Sequence, residues 1–429
     1  MDAPTHVSPR TRSASIILDA IRAAGTISRS GLTTVTGLTA ATISTVVRKL
    51  ITADLVTEIG RAESTGGKPR VLLQLNAEAR YAIGIHLDHA AVTYVLVNLV
   101  GTPIANMKRA GALATPPHDV VVRISDEVTE FVKEAGIPFS KVLGLGLVSP
   151  GPLTSAAGMQ LTPPFMKSWE DFPLDTELAH ATSLPVFLEN DATAAAIGEY
   201  WSGGTDHEGD FASLYLGTGL GAGLLIGGSP FHGASGNAGE IGHTTVSIDG
   251  PLCWCGMHGC VEVLAGPAAV VTQARARREN IRDFGLSATE NSTSIAHDFA
   301  LIAAAAQHGN EHAQQLLKDS ARYIAAAAHT IANLFDLRML VLTGPSFAAA
   351  GDIYLPAITH VLNESFFARS RHHVDVRLSQ TAETAAAIGA AALVLQNEFV
   401  PERSAQLASA AGWSGIENEI STLSTPTHT

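Results

Sequence analysis

The sequence predicts an α/β protein in two unequal parts, a small head of helices and a hairpin followed by a large body of two similar lobes. Three observations carry that expectation. Up to about residue 76, apolar residues recur at helical spacing. From Tyr81 onward they gather into short, wholly apolar runs parted by glycines and polar turns, the pattern of strands buried on both faces. The order strand-strand-strand and then strand-helix occurs twice. The chain has 429 residues, 46% apolar and 16% charged, enough for two or three domains with sizeable cores. That composition excludes a disordered polyelectrolyte, a collagen and a disulfide-stapled miniprotein.

Charge divides the same way. The net charge is −13, which argues against nucleic-acid binding along the whole chain. Residues 1–76 hold nine Lys/Arg against five Asp/Glu, a local +4 that leaves −17 for the remainder. No run of about 18 apolar residues suggests a membrane span, and the polar N-terminus lacks the apolar core of a secretory signal. The three cysteines fall within eight residues, unlike a disulfide framework, so a cytoplasmic setting is expected.

In the head, Ile16–Ala24 forms a first helix closed by Gly25. Ser28 is placed to cap a short second helix that Gly37 stops. Thr39 caps a third helix through Leu50, with Ile43, Val46, Val47 and Leu50 as its buried stripe. Alternating segments Leu55–Ile59 and Arg70–Leu75 flank a Gly-rich loop with basic residues. This is the order of a winged helix-turn-helix, whose third helix enters the DNA major groove and whose wing meets phosphates or the minor groove. A trihelical bundle for protein contact is the alternative. On the DNA reading, Thr42, Ser44 and Thr45 are placed to read bases, while Arg48, Lys49, Arg61, Lys68 and Arg70 serve mainly phosphates.

In the body, residues 81–101 give two strands and 102–108 a third. Residues 142–149 form a buried strand running into the Pro150-Gly151 turn. A strand at 185–190 leads into a helix at 191–201, and 211–228 gives two strands around a Gly-Thr-Gly turn. Helices at 298–306 and 313–334, a strand at 339–344 and a closing helix at 382–395 complete the pattern. The duplication predicts a two-lobed actin-like ATPase architecture. The expected divisions are a head at 1–78, a body at 79–400 and a tail at 401–429. Within the body, lobe one is about 79–188 plus 382–397, and lobe two about 189–370.

One metal site is legible from spacing. His243, Cys253, Cys255 and Cys260 supply an imidazole and three thiolates within eighteen residues, the ligand set of a closed tetrahedral zinc site. One structural zinc per chain is expected.

Residues 233–262 contain G-x-A-G-E-x-G-H and C-x-C-G-x-x-G-C-x-E elements, and 189–192 read E-N-D-A. On these motifs the chain resembles the ROK family of repressors and sugar kinases from about Ser13 to Leu395, and its regulator branch in carrying a winged head. The resemblance implies that Asn190, Asp191, Glu240, His243 and Glu262 bind sugar hydroxyls, with Asp191 at the position of the kinases' catalytic base. Carboxylates and amides suit this work because they take hydroxyl hydrogen bonds in fixed geometry.

In the family's kinases the first hairpin reads approximately D-x-G-G-T-K; here His86-Leu87-Asp88-His89-Ala90-Ala91 stands in its place. Both glycines are replaced, one of them by a carboxylate. A carboxylate about 4 Å from a phosphate charge costs roughly 4 kcal/mol at an effective dielectric near 20. A second Gly-rich turn, 217–221, remains. The sequence therefore predicts a non-catalytic, sugar-responsive DNA-binding regulator, most plainly a repressor. It would act as a homodimer or homotetramer on double-stranded operator DNA, with a sugar or sugar phosphate as effector. An active sugar kinase, and a regulator sequestered by a partner protein, are the alternatives.

Overall fold

A computed structural model describes residues 9–61, 70–112, 115–151, 169, 172–202, 210–287 and 295–399. The expected tail and most of the loop at the wing tip lie outside these residues.

The head begins with α1 (Pro9–Ala24), the two-residue strand β1 (Ile27–Ser28), α2 (Arg29–Thr36) and α3 (Ala40–Thr52). The Ser28 hydroxyl accepts the Gly31 N–H, and the Thr39 hydroxyl accepts the Thr42 N–H, so both helix starts are capped. Gly37 ends α2 in the left-handed conformation. The axes of α2 and α3 meet at 118°, within the helix-turn-helix range of about 90–120°. Strands β2 (Val56–Arg61) and β3 (Val71–Leu75) form the wing hairpin, and β1 adds to it in the order β1-β3-β2. That third strand is too short to have left a period in the sequence. Arg29 ties α2 to the wing through Glu58 at 2.7 Å. Ile17, Ile21, Leu32, Ile43, Val47 and Leu73 form the head's interior, while Val46, expected among them, is only half-buried.

The body repeats one topology. Strands β4 (Tyr81–Leu87), β5 (Ala91–Asn98) and β6 (Pro103–Ala110) run antiparallel. After α4 (Pro117–Glu134), β7 (Val142–Ser149) pairs parallel to β4; after α5 (Leu174–Thr182), β8 (Val186–Asn190) pairs parallel to β7. The chain passes directly from β8 into α6 (Asp191–Trp201). The second sheet starts with β9 (Phe211–Leu216), β10 (Leu220–Ile226) and β11 (Ser229–Pro230). Five helices follow: α7 (Val261–Ala265), α8 (Pro267–Arg275), α9 (Arg278–Asp283), α10 (Ile295–Gln307) and α11 (Glu311–Phe335). Strand β12 (Met339–Thr343), α12 (Pro345–Ser365), β13 (Asp375–Leu378) and α13 (Ala385–Phe399) end the described fold. The sheet orders, β6-β5-β4-β7-β8 and β11-β10-β9-β12-β13, are the same. The chain is thus an α/β protein with a winged head and an actin-like two-lobed body. Strand β13 carries the second sheet past residue 370, where the sequence placed the lobe's end. It is a four-residue edge strand whose side chains are all partly exposed, so it carries no apolar run.

Helix α13 returns across the first sheet, α6 lies on the second, and the two helices pack on each other. Alanine and glycine make this approach possible. A Cβ on Gly84 of β4 would lie 1.7 Å from the Ala387 carbonyl oxygen, and one on Gly389 would lie 1.7 Å from that of Ala194. The head joins the same assembly. Its interior is continuous with Val95, Leu99, Ile197, Trp201 and Ile388, and the Arg22 guanidinium of α1 sits 4.1 Å from the Trp201 ring centroid.

Replacing Gly389 by alanine sets two effects against each other. Better helix propensity contributes about 1 kcal/mol, but the added methyl forces α6 and α13 apart, an overpacking cost of about 1–3 kcal/mol. Gly389→Ala should therefore lower the urea midpoint; an unchanged or raised midpoint would show that the helices are not in this contact.

Candidate functional site

Six loops and helix or strand ends from the two lobes meet around a cavity of about 520 Å³. Lobe one contributes the β4–β5 turn with Asp88, the end of β7 with Ser149, and the β8–α6 junction with Asn190 and Asp191. Lobe two contributes the β9–β10 turn with Thr218, the loop bearing Glu240 and His243, and Glu262 on α7. All five residues expected to bind sugar line this one cavity. Among the described residues its wall carries four carboxylates and no Lys or Arg.

Local structure fixes these groups. Asn190 is the N-cap of α6, its side-chain oxygen accepting the Ala192 and Thr193 N–H groups, which leaves the amide NH₂ to donate elsewhere. Asp191 Oδ1 accepts the Ala192 N–H at 2.8 Å, and Oδ2 lies 3.6 Å from Nε2 of buried His86. Glu262 Oε2 accepts the Leu220 N–H at 3.2 Å, while Oε1 accepts the Trp254 indole N–H at 3.0 Å. Glu240 is pushed up to about 7 by burial, and then by the Asp191 and Glu262 charges.

Two interlobe contacts were not foreseen. His232 donates to Glu189 at 2.7 Å, and Glu189 in turn accepts the Asn190 N–H at 2.8 Å, so a residue of the β11 loop helps set the β8–α6 junction. Burial, the largest single influence, opposes charge on His232, but the Glu189 hydrogen bond, the Glu189 charge and a hydrogen bond to the Pro230 backbone together raise its pKa. Glu189 belongs to the E-N-D-A element, so the motif held a signal for it; His232 had none. The second contact joins the β4–β5 and β9–β10 turns. The Thr218 hydroxyl donates to Asp88 Oδ2 at 2.7 Å, and the His89 N–H donates to Asp88 Oδ1 at 2.6 Å.

Beside the cavity, the donor atoms of His243, Cys253, Cys255 and Cys260 all lie within 4.8 Å of one another. Cys253 Sγ is 3.5 Å from His243 Nδ1, and Cys255 Sγ is 3.6 Å from Cys260 Sγ. With Zn–S bonds of roughly 2.3 Å, tetrahedral S–S edges are about 3.8 Å, so the cluster has the size zinc requires. Burial pushes the Cys260 thiol up to about 12, with the Cys255 and Cys253 thiols adding to the effect. A divalent cation reverses that preference by stabilising thiolates. His258 donates instead to the Gly250 carbonyl at 2.9 Å and stands outside the cluster. The residues fit a structural metal.

In the head, Ser44, Thr45, Arg48 and Lys49 are exposed on α3, and Arg70 is exposed at the start of β3. Thr42 is half-buried, with its hydroxyl 2.9 Å from that of Thr39, so it serves the helix cap. Lys68 and the Arg61 side chain lie outside the described residues.

Protein prepared without chelator should carry about one zinc per chain by elemental analysis. Cys260→Ser should lower both zinc content and melting temperature, because coordination free energy is linked to folding. Zinc-free wild-type protein, or an unchanged melting curve for the variant, would refute the site.

The ROK family model matches residues 82–397. A xylose repressor of Caldicellulosiruptor bescii is 30% identical over 376 residues, 86% of this chain and 92% of its own length. Among solved structures, a ROK family transcriptional regulator described as a homologue of the Escherichia coli Mlc protein superposes with a TM-score of 0.71 at 26% identity. It covers 92% of this chain and 99% of its own. A ROK family glucokinase from Streptomyces griseus, solved with glucose and AMPPNP, gives a TM-score of 0.60 at 30% identity over 73% of this chain and 98% of its own. The regulator match extends over the head as well as the body. From the paired motifs, the doubled sheet and these likenesses together, the chain belongs to the ROK family.

Proposed function

We propose that this protein is a sugar-responsive transcriptional repressor whose kinase-like body binds its effector without phosphorylating it. The observation that carries the proposal is the wall of the cavity. Hydroxyl ligands line one side, while on the other Asp88, bonded to Thr218, stands where the kinases bring phosphates close to glycine backbone. Phosphoryl transfer needs positioned phosphates and a metal that neutralises developing charge. A fixed carboxylate opposes both the approach of phosphate and its retention.

On this reading Asn190, Asp191, Glu240 and Glu262 bind hydroxyls, and His243 offers Nε2 to the effector while Nδ1 faces the thiols. Zinc held by His243, Cys253, Cys255 and Cys260 would supply no reaction chemistry, since four protein ligands leave no open position, and would instead fix the loop that carries His243. In the head, Ser44 and Thr45 read base edges, with Arg48, Lys49, Arg61, Lys68 and Arg70 on phosphates or in the minor groove. Paired heads in a cytoplasmic dimer or tetramer would set half-site spacing at one helical turn or a multiple. Helix α6 supplies the coupling, for it starts at Asp191 in the cavity and ends at Trp201 beneath Arg22 of the head.

Likeness to glucokinases and the presence of Asp191 favour a sugar kinase as the second reading. Purified protein with ATP, magnesium and hexose should release no ADP above a no-enzyme control. On an operator recovered by selection from random duplexes, sugar should weaken binding, and Asp191→Ala should abolish that response. Hexose-dependent ADP release that is lost in Asp191→Ala would overturn the proposal in favour of the kinase.

The wing assignment is tested separately. Lys68→Ala with Arg70→Ala should weaken binding to every duplex and reduce the slope of log affinity against log salt by about 2. Ser44→Ala should instead alter preference among operator variants. Unchanged binding of the double variant at every salt concentration would refute the wing's role.

A further inference from the structure

We propose that the effector is an uncharged sugar, and that Asp88, held in place by Thr218, is the specificity residue that rejects the sugar's phosphate ester. This deepens the sugar-responsive reading and rests on it. The hydroxyl that a kinase would phosphorylate lies at Asp191, so an ester formed there carries its phosphate between Asp191 and the β4–β5 and β9–β10 turns. Both lobes present a carboxylate-bearing surface to that position. Asp88 cannot swing aside cheaply, because one of its oxygens accepts the His89 N–H and the other the Thr218 hydroxyl. Asp88, Asp191 and Tyr215 line the same cavity, and the Tyr215 hydroxyl is held well above its ordinary pKa by burial and then by the two acids.

The same corner is equipped for a neutral hydroxyl. His86 Nε2 and Ser149 Oγ are buried without a hydrogen-bond partner, and His86 Nε2 stands 3.6 Å from Asp191 Oδ2. Buried polar atoms left in this state are rare and costly. A hydroxyl that donates to Asp191 and accepts from His86 relieves one of them at no electrostatic cost, whereas a phosphate dianion meets Asp191 and Asp88 without a compensating Lys or Arg among the described lining residues.

The test compares selectivity, which a merely structural change would leave alone. Glucose and N-acetylmannosamine, each beside its 6-phosphate, are titrated calorimetrically against the full chain, with xylose as a further neutral sugar. The expected result is that a neutral sugar binds and its ester binds at least about a hundredfold more weakly. Asp88→Asn, and independently Asp88→Ser should the first variant fold poorly, should narrow that ratio to about tenfold or less. An ester that binds as well as its parent, or a ratio unmoved in both folded variants, overturns the assignment of Asp88 while leaving a sugar-responsive regulator intact. Failure of every sugar and every ester to bind overturns the effector reading itself, and the inference with it.

Discussion

The structure depends on the close packing of two alanine-rich helices between its two sheets. Helix α13 lies on the first sheet and α6 on the second, and they touch along faces of Ala and Gly. Such faces contribute little hydrophobic area per residue, but they let backbones approach until any larger side chain would collide. The lobes are therefore joined through a close-packed seam of backbone and small side chains. Glu199 fixes α6 along that seam. Buried in the helix, it accepts hydrogen bonds from Ser379 and Thr381 of the segment after β13, so a helix that follows a lobe-one strand is anchored to lobe two. Burial raises the pKa of this carboxyl while the two hydroxyls oppose the shift.

From this seam the cleft inherits its geometry. Helix α6 begins where β8 ends, so Asn190 serves as helix cap and Asp191 as the first helical residue, each with backbone-fixed orientation. The cavity wall across from them comes from loops, which need other restraints. His232 reaches back to Glu189, Trp254 braces Glu262, and Thr218 meets Asp88. The cysteine knuckle belongs to the same set of restraints. Cys260 is the N-cap of α7, which carries Glu262 two residues later, and His243 packs edge-on against Trp254 at 4.7 Å. The residues that could hold a metal and the candidate hydroxyl ligands are thus neighbours on one short stretch of chain.

The head is not tethered at a distance. Its interior merges with the first lobe, and Arg22 covers Trp201 at the far end of α6. Helix α6 therefore runs from the cavity wall to the head's interior without a flexible intermediary.

Sequence alone determined the features that depend on neighbours along the chain. The caps Ser28 and Thr39, the Gly37 stop, the buried strands and the His-Cys-Cys-Cys spacing all rest on local rules, and the doubled strand order is visible because each lobe is built from consecutive elements. The five candidate hydroxyl ligands were legible only through whole motifs, since any one acid alone has no distinguishing pattern. Tertiary structure decided what lies between distant segments. Strand β1 exists because β3, more than forty residues on, offers it an edge; β13 exists because β12 does. Asp88 and Thr218 are 130 residues apart, and nothing in either turn announces that a carboxylate in one will meet a hydroxyl in the other. A hydrogen bond is set by position in space, and only folding brings those positions together.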